Sequence, residues 1–173
     1  LPRSVFGTVT AHFGVGLMVV GIVATSAYRS ESVLVMRSGD VTQFVGYEIT
    51  FEGVTDSTGA NYREQIGRFS IKRNGRDTAT LQPSKRAYQV PRQSTTEAGI
   101  HVAAAGDLYA VLGDAQQDQG YAVRFYFNPL VRFIWFGAVI MFIGGMLSLS
   151  DRRLRVGAPR RARSSGQKVV AAE

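Results

Sequence analysis

The sequence predicts a membrane protein of mixed class, in which two transmembrane helices flank a small antiparallel β sandwich or barrel-like domain. Two apolar runs, Val5 to Ala27 and Leu130 to Leu149, are each long enough to cross a hydrocarbon core of about 30 Å. Between them, residues 28–129 alternate apolar and polar side chains in short segments separated by glycines and polar turns. The charge is also unevenly placed. The 173-residue chain has net charge +7 and mean hydropathy +0.00, yet residues 28–129 carry 11 Lys/Arg and 11 Asp/Glu. Residues 150–173 carry 7 Lys/Arg against only Asp151 and Glu173. Basicity gathered beside apolar runs is a topology signal and argues against a nucleic-acid-binding protein.

The first span, residues 5–27, contains one strongly polar side chain, His12. A cleaved signal peptide would use Arg3 as its basic start, but its apolar region would be about 7–15 residues, shorter than this run. The second span, residues 130–149, ends at Asp151-Arg152-Arg153. The basic tail, 150–173, holds that end in the cytoplasm, and from Gly157 its Ala, Arg, Ser and Gly predict a disordered end lying on anionic lipid. Two spans return both termini to one side, so 28–129 lies outside, in the periplasm of a Gram-negative cell. Tyr126, Phe127, Phe133 and Trp135 then form an aromatic belt at the outer headgroups. The chain opens Leu1-Pro2-Arg3 without an initiator Met, as the C-terminal part of a longer chain would.

Within 28–129 the alternation predicts strands at Tyr47 to Glu52, Arg68 to Lys72, Thr78 to Leu81 and Tyr121 to Phe127. Shorter strands are expected at Val33 to Met36, Tyr88 to Val90 and Leu108 to Leu112. Asn74-Gly75 is the strongest hairpin signal.

The chemistry on offer is sparse. The chain has no cysteine, hence no disulfide, thiolate metal site or Cys nucleophile. No Ser-activating elbow or S-x-x-K motif is present, and Asp107, Asp114 and Asp118 match no calcium loop. Lys72, Arg73, Arg76, Lys85 and Arg86 form a basic cluster near Glu64 and Asp77, read first as a solvated face and second as a docking patch. His101 is read as uninvolved.

His12 carries the sharper expectation. It lies about 10 Å along the helix from Val5, well inside the hydrocarbon, where polar groups face a partner, a cavity or a cofactor. Thr8, Gly16, Val19 and Val23 share its face, and Gly16 leaves room for something flat beside the ring. On the opposite face Gly7, Gly14 and Gly21 recur every seven residues, a stripe that lets helices approach closely. Gly137, Gly144 and Gly145 are packing residues of the second span. His12 is therefore either a haem-iron ligand or a helix–helix hydrogen bond, and the physics of the sequence leaves both open.

Several segments stand in a recognisable order: Ala11-His12-Phe13-Gly14, Arg37-Ser38-Gly39-Asp40, Phe51-Glu52-Gly53-Val54, Asn61-Tyr62-Arg63 and Lys85-Arg86. They continue with Thr96-Glu97-Ala98, Asp107-Leu108-Tyr109-Ala110-Val111-Leu112-Gly113 and Asn128-Pro129-Leu130-Val131-Arg132, then Asp151-Arg152-Arg153. To about Arg155 this resembles the C-terminal end of CcmF, the haem lyase component of bacterial cytochrome c maturation (System I). One departure is Ala60 in Gly59-Ala60-Asn61-Tyr62, where the family has proline; it touches only a turn.

The resemblance implies a bacterial inner-membrane protein that receives haem from a periplasmic haem chaperone and attaches it to apocytochrome c alongside other maturation subunits. It also implies haem b in the membrane on two histidines from different helices, with His12 matching one as an axial iron ligand. The second ligand, a tryptophan-rich periplasmic motif and two periplasmic haem-ligating histidines would lie upstream. Whether the chain acts as an enzyme is therefore open: it holds no complete lyase site, and would supply one ligand and the last periplasmic domain. The competing reading is a non-catalytic two-span envelope protein whose β-domain is a structural or docking module without cofactor.

Overall fold

The computed structural model describes residues 2–116 and 119–151. Helix α1 spans Arg3–Ala27 and helix α2 spans Arg132–Leu149, and the two pack antiparallel along their glycine faces. Gly7, Gly14 and Gly21 on α1 are buried, as are Gly137 and Gly144 on α2. A Cβ at Gly14 would lie 2.7 Å from the Gly137 carbonyl oxygen, and one at Gly137 would lie 2.6 Å from that of Gly14. The stripe expected on α1 thus meets a complementary stripe on α2, and only hydrogen side chains let the backbones come this close. Away from that seam both helices are bare: Phe13, Trp135 and Phe142 are exposed. The described residues cover little of either helix, unlike a core helix of a soluble fold, and both are long and apolar enough to cross a membrane.

The helix bounds differ slightly from the apolar runs. α1 begins at Arg3, where the Ser4 N–H finds an acceptor in Asp151. α2 begins two residues after Leu130, because Leu130 has φ +52° and sits in a turn whose N–H donates to the Ala105 carbonyl.

Among the described residues, ten antiparallel strands between the helices form a sandwich. One sheet has the order β1 (Ser30–Met36), β10 (Tyr121–Pro129), β9 (Gly106–Ala115), β8 (Gly99–Ala103). The other runs β2 (Val41–Phe44), β3 (Tyr47–Thr58), β4 (Tyr62–Arg73), β6 (Ser84–Tyr88), β7 (Gln93–Glu97), with β5 (Arg76–Leu81) paired to the far half of β4. The alternation of Tyr47, Ile49 and Phe51 points inward as the period of two requires. These meet Phe69 and Ile71 from β4, and Leu108, Val123 and Phe125 from the opposing sheet. Phe51 and Phe69 stack at 4.8 Å between ring centres, and Phe125 meets Phe69 edge-on at 5.7 Å. Each such buried side chain contributes about 1.5–3 kcal/mol.

Six of the seven expected strands are present, several longer than their alternation suggested. β3 continues past Glu52 because Gly53, at φ +133°, accommodates a bulge where the register shifts between Phe51 and Gly53. Asn74 and Gly75 both adopt left-handed φ and close the β4–β5 hairpin. The expected strand at Tyr88 to Val90 is displaced: it runs Ser84–Tyr88, and Val90 falls in the following turn. Strands β2, β7 and β8 had no sequence expectation. The tail from Arg152 and residue Asp118 lie outside the described residues.

Candidate functional site

His12 projects from the face of α1 opposite its glycine seam, away from α2. Its Nδ1 lies 2.8 Å from the carbonyl oxygen of Thr8, one turn earlier. A carbonyl only accepts, so Nδ1 carries the hydrogen of that bond, and in the neutral imidazole Nε2 is left with a free lone pair. A histidine held this way, by a backbone carbonyl at one nitrogen, is oriented to coordinate through the other. The hydrogen bond is internal to α1, so His12 does not join the two helices. Gly16 shares its face, and a Cβ there would meet nothing within 4 Å. Exposed Val5, Val19 and Val23 make the surrounding surface apolar. The donor type, the fixed tautomer and the open apolar surface fit an axial ligand of a flat iron macrocycle. Among the described residues no group of three His, Cys, Asp or Glu side chains gathers to hold a bare metal ion.

The other singled-out residues fall elsewhere. His101 lies on β8, its ring edge-on to Tyr47 at 6.0 Å. The basic cluster is largely engaged within the domain: Lys72 pairs with Asp77, Lys85 with Asp114, and Arg73 lies over the Tyr47 ring. Arg86 bonds Glu64 at 2.9 Å, pairs with Glu97 at 3.5 Å and lies over Tyr62. The hydrogen bond to Glu64 raises the Arg86 pKa above its ordinary value, so it is a fixed charge. Arg124 is likewise raised, first by its bond to the Tyr126 hydroxyl. The cluster is thus mostly a set of cross-strand ties. Asp107 is buried where β9 begins, 3.9 Å from Arg132 at the start of α2.

Sequence reasoning missed the ties that pin the helix pair. Thr25 Oγ1 donates to the Pro129 carbonyl at 3.2 Å, and the Ser4 N–H donates to Asp151. The signal was present only in general form, as an acid just past one antiparallel helix and uncapped amides at the start of the other.

An antiparallel β-sandwich strung between two glycine-seamed apolar helices, with one outward imidazole on the first, defines the class: a helix-flanked β-sandwich domain. A profile described as the CcmF C-terminal beta-sandwich matches residues 27–129, and the chain belongs to that family. It is 46% identical over 95% of its length to the cytochrome c-type biogenesis protein CycK of Rhizobium meliloti, covering 24% of that protein. It is 39% identical over 95% of its length to the cytochrome c-type biogenesis protein CcmF of Pseudomonas aeruginosa, covering 25% of it. The solved structure named Cytochrome c Heme Lyase CcmF has the same fold, with TM-score 0.72 at 21% identity over 86% of this chain and 25% of that one. The chain therefore spans about a quarter of the length of these relatives.

Proposed function

We propose that the chain is the C-terminal portion of a cytochrome c maturation haem lyase subunit. In this reading it binds haem b within the bacterial inner membrane and helps attach haem to apocytochrome c. The observation that carries the proposal is the His12 geometry: Nδ1 committed to the Thr8 carbonyl, Nε2 free, and an open slot at Gly16. Bound haem supplies a redox-active iron whose potential depends on its axial ligands. The chain's own part is to present Nε2 in a fixed tautomer, exclude water with the surrounding valines, and leave the ring plane unobstructed. A second ligand to the iron would come from another helix of the full-length subunit. The basic residues after Asp151 support cytoplasmic termini and a periplasmic sandwich, within reach of a haem chaperone, apocytochrome c and other maturation subunits.

Full-length protein purified with haem and scanned reduced-minus-oxidised should give a b-type spectrum that His12→Ala abolishes or shifts. An unchanged spectrum and haem content in that variant sinks the ligand assignment, and a full-length protein that takes up no haem at all leaves the cofactor-free docking module. Reporter fusions within residues 60–100 test the orientation, which a cytoplasmic signal overturns.

A further inference from the structure

Most basic side chains of the sandwich face a carboxylate or a tyrosine ring within it. Among the described residues Arg63, Arg76 and Arg92 face neither, and two of them, Arg63 and Arg92, line one groove of about 550 Å³ together with Ala87, Tyr88, Gln89 and Val90. No carboxylate lines it. Two guanidinium groups in a groove without an acid form a site for carboxylates, which their forked donors match in geometry as well as charge.

The groove lies at the end of the sandwich far from the helices. Tyr47, at the start of β3, packs on His101, whose partner Leu108 pairs with Phe127 two residues before the strand's end. β3 runs from there for 12 residues to Thr58, so the β3–β4 turn is distal. Its residue Asn61 grips the β6–β7 turn: its side-chain amide donates to the Val90 carbonyl at 2.7 Å, and its carbonyl accepts from the Gln89 N–H at 3.1 Å. Tyr62 and Tyr88 meet at 5.4 Å between ring centres beside it. The turn is thereby held with Val90 73% exposed, an apolar tip presented between two free arginines. Fixing such a tip before contact lowers the ordering cost of binding.

We infer that this groove docks an acidic peptide segment of a partner protein, its carboxylates on Arg63 and Arg92 and an apolar side chain against Val90 and Tyr88. A small diacid would fill little of the open volume and would leave Val90 uncovered, so a macromolecular segment fits better. The inference goes beyond haem ligation, and takes from the proposed function only the compartment in which the partner is found.

The test uses the full chain in detergent and a fluorescein-labelled hexapeptide of alternating glutamate and valine, read by anisotropy. Saturable binding is expected, weakening with added salt, and at least about tenfold weaker in the Arg63→Gln, Arg92→Gln double variant. Arg76→Gln, an exposed arginine outside the groove, should leave it unchanged. Both groove arginines are exposed, so an unaltered circular dichroism melt is expected; Arg92→Gln alone gives the same reading if the double variant melts early. Equal binding of a lysine–valine peptide, an equal loss in Arg76→Gln, or displacement by equimolar succinate overturns the inference. The haem spectrum of the double variant stays that of the parent chain, so this failure is distinguishable from failure of the His12 assignment.

Discussion

The backbone N–H of Ser4, in the first turn of α1, donates to Oδ2 of Asp151, just beyond α2, at 3.0 Å across 147 positions of sequence. The acid that ends one helix therefore caps the start of the other. No side chain of α1's own N-cap, Pro2, does so. At the opposite end the Thr25 hydroxyl holds the Pro129 carbonyl, so the glycine seam is pinned at both ends. Removing the acceptor in Asp151→Ala should destabilise the helix pair by about 1 kcal/mol, as loss of an N-cap does. Asp151→Asn keeps an acceptor and should lose less. Denaturation of the full chain in graded sodium dodecyl sulfate measures both, and equal effects of the two variants would refute the capping role.

The two glycine populations of α1 should respond in opposite ways. A side chain at Gly14 meets the Gly137 carbonyl and the Met141 backbone nitrogen, each at 2.7 Å, and neither can move without parting the helices. Gly14→Ala should therefore cost about 1–3 kcal/mol in the same denaturation measurement. Gly16 has open space around its Cβ position, so Gly16→Leu should fold as the parent chain does. If His12 ligates haem, that leucine crowds the slot beside the ring and haem content falls while stability does not. A Gly16→Leu chain with full haem content would place the macrocycle elsewhere.

What was legible in the sequence follows from where the burial signal is strong. Tyr47, Ile49 and Phe51 alternate because one face of β3 is core, and Asn74-Gly75 was readable because that turn needs two left-handed residues. β7 was invisible: Gln93-Ser94-Thr95-Thr96-Glu97 is polar throughout and mostly exposed, and is a strand only because β6 offers it a backbone ladder. The imidazole and the glycine stripe stood out against an apolar run. Their surroundings did not, because the Asp151 cap and the Arg63–Arg92 groove join residues that only the folded chain brings together.

The sandwich should depend heavily on Phe69. Fully buried, it stacks on Phe51 and receives the edge of Phe125 from the other sheet, so it bridges the two layers. Phe69→Ala should cost about 3–5 kcal/mol, from lost transfer energy and the cavity left behind. Val33→Ala, on the exposed outer face of β1, should stay within about 0.5 kcal/mol of the parent. Limited proteolysis followed with temperature, scoring cleavage inside residues 28–129, separates the two, and equal protection would mean that the core is organised around other residues.

Arg86 ties β6 to β4 through Glu64 and to β7 through Glu97, while its guanidinium lies over Tyr62. Its raised pKa means that this contribution is complete at every pH below the unfolded arginine value and lost only above it, beyond the range a folded domain is tested in. Lysine at this position keeps a charge but titrates near pH 10.4 and lacks the fork that serves two carboxylates at once. Arg86→Lys should therefore melt somewhat below the parent chain at pH 7. The gap should widen as pH rises through about 10, where lysine sheds its proton and arginine does not. Paired melts of the two chains at pH 7, 9 and 10.5 cancel the titration of every other group. A gap that stays constant across the series would show that lost geometry, and not lost charge, accounts for the whole effect.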